Sequence, residues 1–307
     1  MTRKVLEGIL TLTPLALKEN QEIDYDAIKH NIQLLAENRI HGFIAFGSMG
    51  QHFAPTEAEF NKVVDASMDA ANANQVCVIG ATAPNTNESI RRMKYAEDRG
   101  ADACMIAVPY SAPVTNEWAV NHYKAVNDSI KGDAAIIVYN WPVGYRIDIT
   151  PDLWDDLIKL ENVKALKESN SDIVHRNRIL LRIGHKISVI AGNEEWFWND
   201  SMLGAKAICG IVTWAAPKVI LKFYEECRKG NQLKPWTLEV YKKLIERGPG
   251  RGMDPSLNLP SYGPAILNAL VEAGGGHAGA PRKPYERLPE KDRLAIEGFV
   301  QDLRAVT

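Results

Sequence analysis

The chain has 307 residues, 46% of them hydrophobic, with a formal net charge of −2. The length suits one α/β barrel with a large core. The near-neutral charge gives no electrostatic case for nucleic acid or an acidic membrane as partner, and no apolar run approaches the roughly 20 residues of a spanning helix.

In chain order, Met1-Thr2-Arg3-Lys4-Val5 leads into Leu6-Glu7-Gly8-Ile9-Leu10 without the apolar stretch and cleavage site of a signal peptide. Short apolar runs then alternate with amphipathic stretches. The runs are Gly8–Leu12, Gly42–Phe46, Val76–Gly80, Ala103–Ala107, Ala135–Tyr139, Val163–Lys167, Ile187–Ala191 and Ala207–Ile211. Each is nearly all apolar, the pattern of strands covered on both faces. Between them, helices are expected over Tyr25–Asn38, Thr56–Asn72, Asn87–Arg99, Asn116–Ser129, Pro151–Leu160 and Pro217–Lys229. Asp24 supplies an N-cap, Thr56 with Glu59 a capping pair, and Pro151 a first helical position. Eight such units in sequence predict an α/β fold, a closed (β/α)8 TIM barrel, over residues 1–230. Residues 231–307 read as a C-terminal helical extension packed on it, with helices over Leu233–Glu246, Tyr262–Ala273 and Pro289–Val306. The loops Gly248–Gly252 and Gly274–Gly279 read as irregular and free to move. The four cysteines, Cys77, Cys104, Cys209 and Cys227, are far apart and read as reduced core residues of a cytoplasmic protein. No Cys/His group has zinc spacing, so no metal is expected.

In such a barrel, chemistry sits where strands end. Lys167 ends the sixth run and Tyr139 the fifth. A lysine at a partly dry strand end loses its charge more readily and then attacks carbonyls. Moving its pKa from about 10.4 to about 7 takes roughly 4–5 kcal/mol of differential interaction. A phenol one strand away is a natural proton carrier for the imine. The competing reading is an ion pair between Lys167 and Glu168 or another carboxylate. Thr11 and Thr13 follow the first run, Gly47-Ser48-Met49-Gly50-Gln51 the second, Pro109-Tyr110-Ser111 the fourth and Gly192-Asn193-Glu194 the seventh. The glycine-flanked Ser48 offers a hydroxyl and backbone N–H groups to a carboxylate. Together the set fits a 2-oxo acid whose keto carbon meets Lys167.

These motifs resemble the N-acetylneuraminate lyase/dihydrodipicolinate synthase superfamily of Schiff-base aldolases and dehydratases, over nearly the whole chain. Gly47-Ser48-Met49-Gly50 resembles its G-[ST]-T-G-E loop and Gly192-Asn193-Glu194 its G-[DN]-[DE]. Tyr139-Asn140-Trp141-Pro142 matches Y-N-x-P, Lys167-Glu168-Ser169 matches K-[ED]-[AS], and Arg282-Lys283-Pro284 the late R-x-P. Leu203-Gly204-Ala205 resembles the usual opening of the eighth strand. The resemblance implies that Lys167 forms the imine with pyruvate or a larger 2-oxo acid and that Tyr139 shuttles protons. Ser48 and the backbone around Met49 would bind the carboxylate, with Gly47, Thr13, Tyr110, Trp141, Asn193 and Ile211 completing the binding set. The protonated imine is the electron sink, so no metal or organic cofactor is implied. A homotetramer is implied as well.

Met49 replaces a hydroxyl that the resemblance links to a proton relay, and Ser111 stands for a second relay tyrosine, beside Tyr110. The usual relay is therefore expected to be interrupted. Gly144 occupies the place of an arginine that dihydrodipicolinate synthase itself uses, and the nearest arginine is Arg146. Trp141, Trp196, Trp198 and Trp214 near strand ends suggest an aromatic-walled pocket for an apolar or aromatic aldehyde. Gln51, His52, Asn193 and Glu194 are the candidates for binding hydroxyls instead. The expected activity is reversible aldol cleavage of a 4-hydroxy-2-oxo acid. Dehydration of a 2-keto-3-deoxy sugar acid is the alternative, and a catalytically weak 2-oxo acid-binding protein the alternative of another class.

Overall fold

The computed structural model describes residues 4–249 and 263–306. Its centre is a closed parallel barrel of eight strands in sequential order. They are β1 (Gly8–Leu12), β2 (Gly42–Ala45), β3 (Val76–Gly80), β4 (Ala103–Ile106), β5 (Ala135–Asn140), β6 (Val163–Glu168), β7 (Ser188–Ala191) and β8 (Ala207–Ile208). β8 pairs back with β1 through Gly8 opposite Ala207 and Ile9 opposite Ile208. Every strand residue except Lys164 is buried, which explains why the strands read as unbroken apolar runs.

The outer ring begins with α1 (Tyr25–Glu37), α2 (Glu57–Ala70), α3 (Thr86–Asp98) and α4 (Asn116–Ser129). The expected start signals work locally. Asp24 accepts the Ala27 N–H, and Thr56 and Glu59 close a reciprocal capping box. After β5 comes the short α5 (Pro142–Tyr145), then α6 (Trp154–Leu157) behind a 3-10 turn at Pro151–Leu153. The helix expected over Pro151–Leu160 is thus broken up: the N–H groups of Lys159 and Leu160 bond three residues back, to Asp156 and Leu157. Next come α7 (Ile173–Ile183), α8 (Glu194–Asp200), α9 (Val212–Ala215) and α10 (Pro217–Arg228).

β8 is shorter than the run expected through Ile211. The chain stays bonded on both sides, through Cys209 N–H to Ala191 and Leu12 N–H to the Gly210 carbonyl. It then turns away where Gly210 lies against the Glu194 carboxylate, so close that a Cβ would meet Oε1 at 2.2 Å.

The C-terminal helices are α11 (Pro235–Arg247), α12 (Gly263–Ala273) and α13 (Glu290–Arg304). α11 packs on α8 and α10, α12 packs on α9, and α13 joins α11 and α12. The loop expected over Gly248–Gly252 passes out of the described residues after 249, and Tyr262 also lies outside them. The loop at Gly274–Gly279 is not free to move, contrary to expectation. Asn31 exchanges two hydrogen bonds with the His277 backbone, Leu17 N–H donates to Ala278, and Asn268 donates to Gly279. Gly275 (φ +90°) and Gly279 (φ +72°) supply the left-handed turns this path requires. Among the described residues no helix is long and apolar enough to cross a membrane.

Candidate active site

A cleft of about 740 Å³ opens at the carboxyl ends of the strands. Lys167 forms part of its floor and is 3% exposed. In the β5–β6 ladder Tyr139 stands opposite Lys167, and Asn140 opposite Glu168. Alternation along a strand sends successive side chains to opposite faces. Tyr139 and Lys167 therefore face the barrel interior, with the lysine Nζ 4.1 Å from the tyrosine ring centroid. Asn140 and Glu168 face the helical layer. There the Asn140 amide donates to both Glu168 oxygens at 3.0 and 3.1 Å, and the Asn170 N–H adds a third bond at 2.7 Å. His175 Nε2 lies 3.6 Å from the same carboxylate. Glu168 is thus committed away from Lys167, and among the described residues no carboxylate pairs with the lysine. The ion-pair reading of Lys167 is overturned by this alternation.

Burial opposes the ammonium form of Lys167. Ionised Tyr139 and Cys209 would outweigh that and hold the lysine above its ordinary value. The Cys209 thiol, first of the influences that raise the lysine, is however itself pushed up by burial. With that thiol neutral, burial is the largest influence on the lysine and favours the free amine. Cys209, read from the sequence as plain core, lines the cleft beside Lys167.

Ser48 lines the cleft, and its hydroxyl meets two phenols. Its Oγ lies 3.3 Å from the Tyr139 hydroxyl and 3.1 Å from that of Tyr145. Tyr145 in turn lies 3.3 Å from His52 Nε2. The hydroxyls of Tyr139, Ser48 and Tyr145 thus lie in sequence within one chain, where Met49 and Ser111 put the usual relay in doubt. Ser111 is exposed and lines no part of the cleft. Sequence reading missed Tyr145, which sits one turn beyond Pro142 in α5 and is buried against Tyr139 and Trp141. The proline at a first helical position was the available signal. Burial holds the Tyr145 phenol well above its ordinary range. Burial, with Arg92 adding to it, lowers His52 to about 3, so the imidazole is neutral.

The Ser48-Met49 turn offers something else to an anion. Among the described residues, the backbone N–H groups of Ser48 and Met49 donate to no protein acceptor. Met49, Tyr110, Trp141, Asn193 and Ile211 line the cleft as expected from their strand-end positions. Gly47 and Thr13 do not. Gly47 is closed in by Leu12, which a Cβ would meet at 2.4 Å, and Thr13 is buried in the ladder with its N–H on the Ile44 carbonyl. Gln51 is tied to the Arg282 backbone in both directions, and Glu194 turns to the Thr213 N–H. Neither reaches the cleft. Of the four tryptophans only Trp141 and Trp196 line it. Trp198 bonds the Gln232 carbonyl and Trp214 the Leu12 carbonyl. Phe53, Tyr110 and Tyr285 supply the rest of the aromatic wall, with Leu244, Ile245 and Pro264 from the C-terminal helices.

A sequence profile of the Dihydrodipicolinate synthetase family matches residues 5–302. The chain belongs to this family. A 4-hydroxy-tetrahydrodipicolinate synthase of Methanocaldococcus jannaschii is 27% identical over 286 residues, 93% of this chain and 94% of the relative. A crystal structure of a dihydrodipicolinate synthase is 26% identical, with a TM-score of 0.85 and coverage of 97% and 99%. The Ruminococcus gnavus sialic acid aldolase, solved as a catalytic lysine mutant, superposes with a TM-score of 0.85 over 97% of this chain and 95% of its own. At 18% identity, that likeness speaks for the fold alone.

Members of the Dihydrodipicolinate synthetase family are lyases that cleave or form carbon–carbon bonds, and this protein is an enzyme of that kind. A Cβ at Gly144 would sit 2.2 Å from Trp141 Cε3, so the indole fills the space a side chain there would need. Arg146 is exposed, at φ +58°, and does not line the cleft. Among the described residues Lys167 is the only lysine or arginine that does. Glu195, not singled out from sequence, also lines it. Burial, reinforced by Glu194, pushes its carboxyl up to about 7, and Asn193 donates to it at 3.2 Å. Among the described residues no group of three His, Cys, Asp or Glu side chains is placed to hold a metal.

Proposed function

We propose that this enzyme is a Schiff-base lyase of 2-oxo acids. It reversibly cleaves a 4-hydroxy-2-oxo acid into pyruvate and an aldehyde bearing an uncharged, apolar or aromatic group. The observation that carries this reading is a buried Lys167 without a carboxylate partner, lying on the Tyr139 ring at the floor of an aromatic cleft.

The free amine of Lys167 adds to the keto carbon, Tyr139 carries a proton from nitrogen to oxygen, and a further proton from solvent lets water leave to give the iminium. The substrate carboxylate takes the Ser48 and Met49 N–H groups. Tyr139 then accepts the C4 hydroxyl proton while the C3–C4 bond breaks and its electrons enter the iminium. The aldehyde departs from the resulting enamine. Protonation of C3 and hydrolysis release pyruvate and restore the lysine.

The wall supports this choice of partner. Among the described residues a charged aldehyde finds no second cation in the cleft, whereas Trp141, Trp196, Phe53 and Tyr110 offer apolar faces. Dehydration of a 2-keto-3-deoxy sugar acid is the second reading. It is favoured by Glu195, a carboxyl placed to protonate a leaving hydroxyl near neutral pH. Four free, buried cysteines support a reducing compartment such as the cytoplasm. Exposed Ile173, Val174 and Leu181 on α7 support self-association, as in a homotetramer, which light scattering tests.

The test is intact-mass analysis after incubation with pyruvate and borohydride, with peptide mapping and a Lys167→Ala control. A reduced adduct on Lys167 alone is expected. Aldehydes and sugar acids are then screened with product identification. No adduct on folded protein, with pyruvate or any longer 2-oxo acid, would end the Schiff-base reading.

A further inference from the structure

Tyr139 is buried at the cleft floor, yet the reaction asks it to take a proton and give one back in each turnover. Its hydroxyl is linked to Ser48, Ser48 to Tyr145 and Tyr145 to His52, at 3.3, 3.1 and 3.3 Å. All four residues belong to one chain and line the same cleft. His52 sits between two kinds of neighbour. Tyr110 meets its ring edge-on at 5.5 Å, and Arg92 donates to its carbonyl at 3.0 Å. Besides Tyr145, the ring's polar neighbour is the Thr82 backbone.

We propose that Tyr145 and His52 are the outer half of the proton relay that serves Tyr139, so that the proton path is complete within a single subunit. The proposal rests on the Schiff-base reading. As the C3–C4 bond breaks, the C4 hydroxyl proton moves to Tyr139. The Tyr139 proton moves to Ser48, the Ser48 proton to Tyr145, and the Tyr145 proton to His52 Nε2. The iminium loses its positive charge as His52 gains one, so the net charge is unchanged. Positive charge at Lys167 is one of the influences that disfavour imidazolium at His52. That influence vanishes as the enamine forms and returns with the iminium. The return shift, from His52 back through Tyr139 to C3, restores the starting state. His52 thus acts as a transient acceptor, kept from holding the proton by burial and by Arg92.

Pyruvate alone tests this, because enamine formation exchanges its methyl protons with solvent. Deuterium uptake into pyruvate in D2O is followed by NMR for wild type, Tyr145→Phe, His52→Gln and Ser48→Ala, beside the borohydride adduct on Lys167. The expected result is that the Lys167 adduct still forms in each variant while exchange slows about 100-fold, the lower end of general acid–base effects. Imidazole added to His52→Ala is expected to restore part of the exchange rate, which a packing role would not allow. Exchange within threefold of wild type in folded Tyr145→Phe and His52→Gln overturns the relay. Loss of the adduct together with exchange also overturns it, since the residues then only position Lys167. Should Tyr145→Phe not fold, Ser48→Ala and the imidazole rescue decide. Absence of an adduct in wild type is a separate result and refutes the parent reading instead.

Discussion

The Asn140–Glu168 clamp should govern both stability and the alignment of the reacting pair. Asn140→Ala removes a charge-assisted bond to buried Glu168, a bond to Asp148 at 2.9 Å, and the acceptor for the Ile149 N–H at 3.0 Å. The first contributes about 1.5–3 kcal/mol, and the orphaned N–H costs about 1–3 kcal/mol. Asp148 is partly exposed and adds little. The expected loss is therefore about 2.5–6 kcal/mol at neutral pH. Burial already raises the Glu168 carboxyl above its ordinary value, against its donors, and removing one donor raises it further. A raised carboxyl favours the fold below its unfolded pKa and loses that advantage as pH rises through its folded pKa. The penalty of Asn140→Ala should thus shrink on acidification from neutral pH. Denaturant titration between pH 5 and 8, with m-values compared, measures it. The rate of borohydride trapping should fall too, because β5 and β6 lose the outward tie that sets Tyr139 against Lys167. A cost below 1 kcal/mol at pH 7.5, or one that grows on acidification, would refute the reasoning.

Glu195 should leave its own pH signature. Its carboxyl is pushed up to about 7 by burial, so wild type should lose stability relative to Glu195→Gln as pH rises from the ordinary carboxylate range through about 7. Parallel melting curves of the two proteins over pH 4.5–8 would show a constant gap if the carboxyl titrates normally. Trp141→Ala should lower kcat/KM for aromatic aldehydes about 10- to 100-fold while the pyruvate adduct on Lys167 still forms. An equal loss with small aliphatic aldehydes would assign the indole to general packing. Arg176 pairs with Asp200 at 3.2 Å, both side chains being almost fully buried, and lies 4.4 Å over Trp196. Arg176→Met should cost about 3–5 kcal/mol by stranding the carboxylate. The double variant Arg176→Met/Asp200→Leu should recover much of that in denaturant titrations. No recovery would mean that Arg176 matters through Trp196 instead.

The barrel was legible because its causes are local. Buried parallel strands must be apolar on both faces, and caps such as Asp24 and Thr56 act within one turn. Lys167 and Tyr139 stood out for the same reason: each is a polar ending to an apolar run, and the period of two places them on one face with Glu168 and Asn140 on the other. What lies between elements was not legible. Nothing local distinguishes Ser48 as a carboxylate ligand from Ser48 as a bridge between Tyr139 and Tyr145, because that depends on where α5 folds over the rim. Gly144 reads as a lost arginine, but only packing shows Trp141 occupying its place. Gln51 and Glu194 carry the right chemistry for a substrate hydroxyl and spend it on Arg282 and Thr213. Periodicity and caps assign a residue to a face and an end. Which partners its polar atoms meet depends on the path of loops whose neighbours in space are far away in sequence.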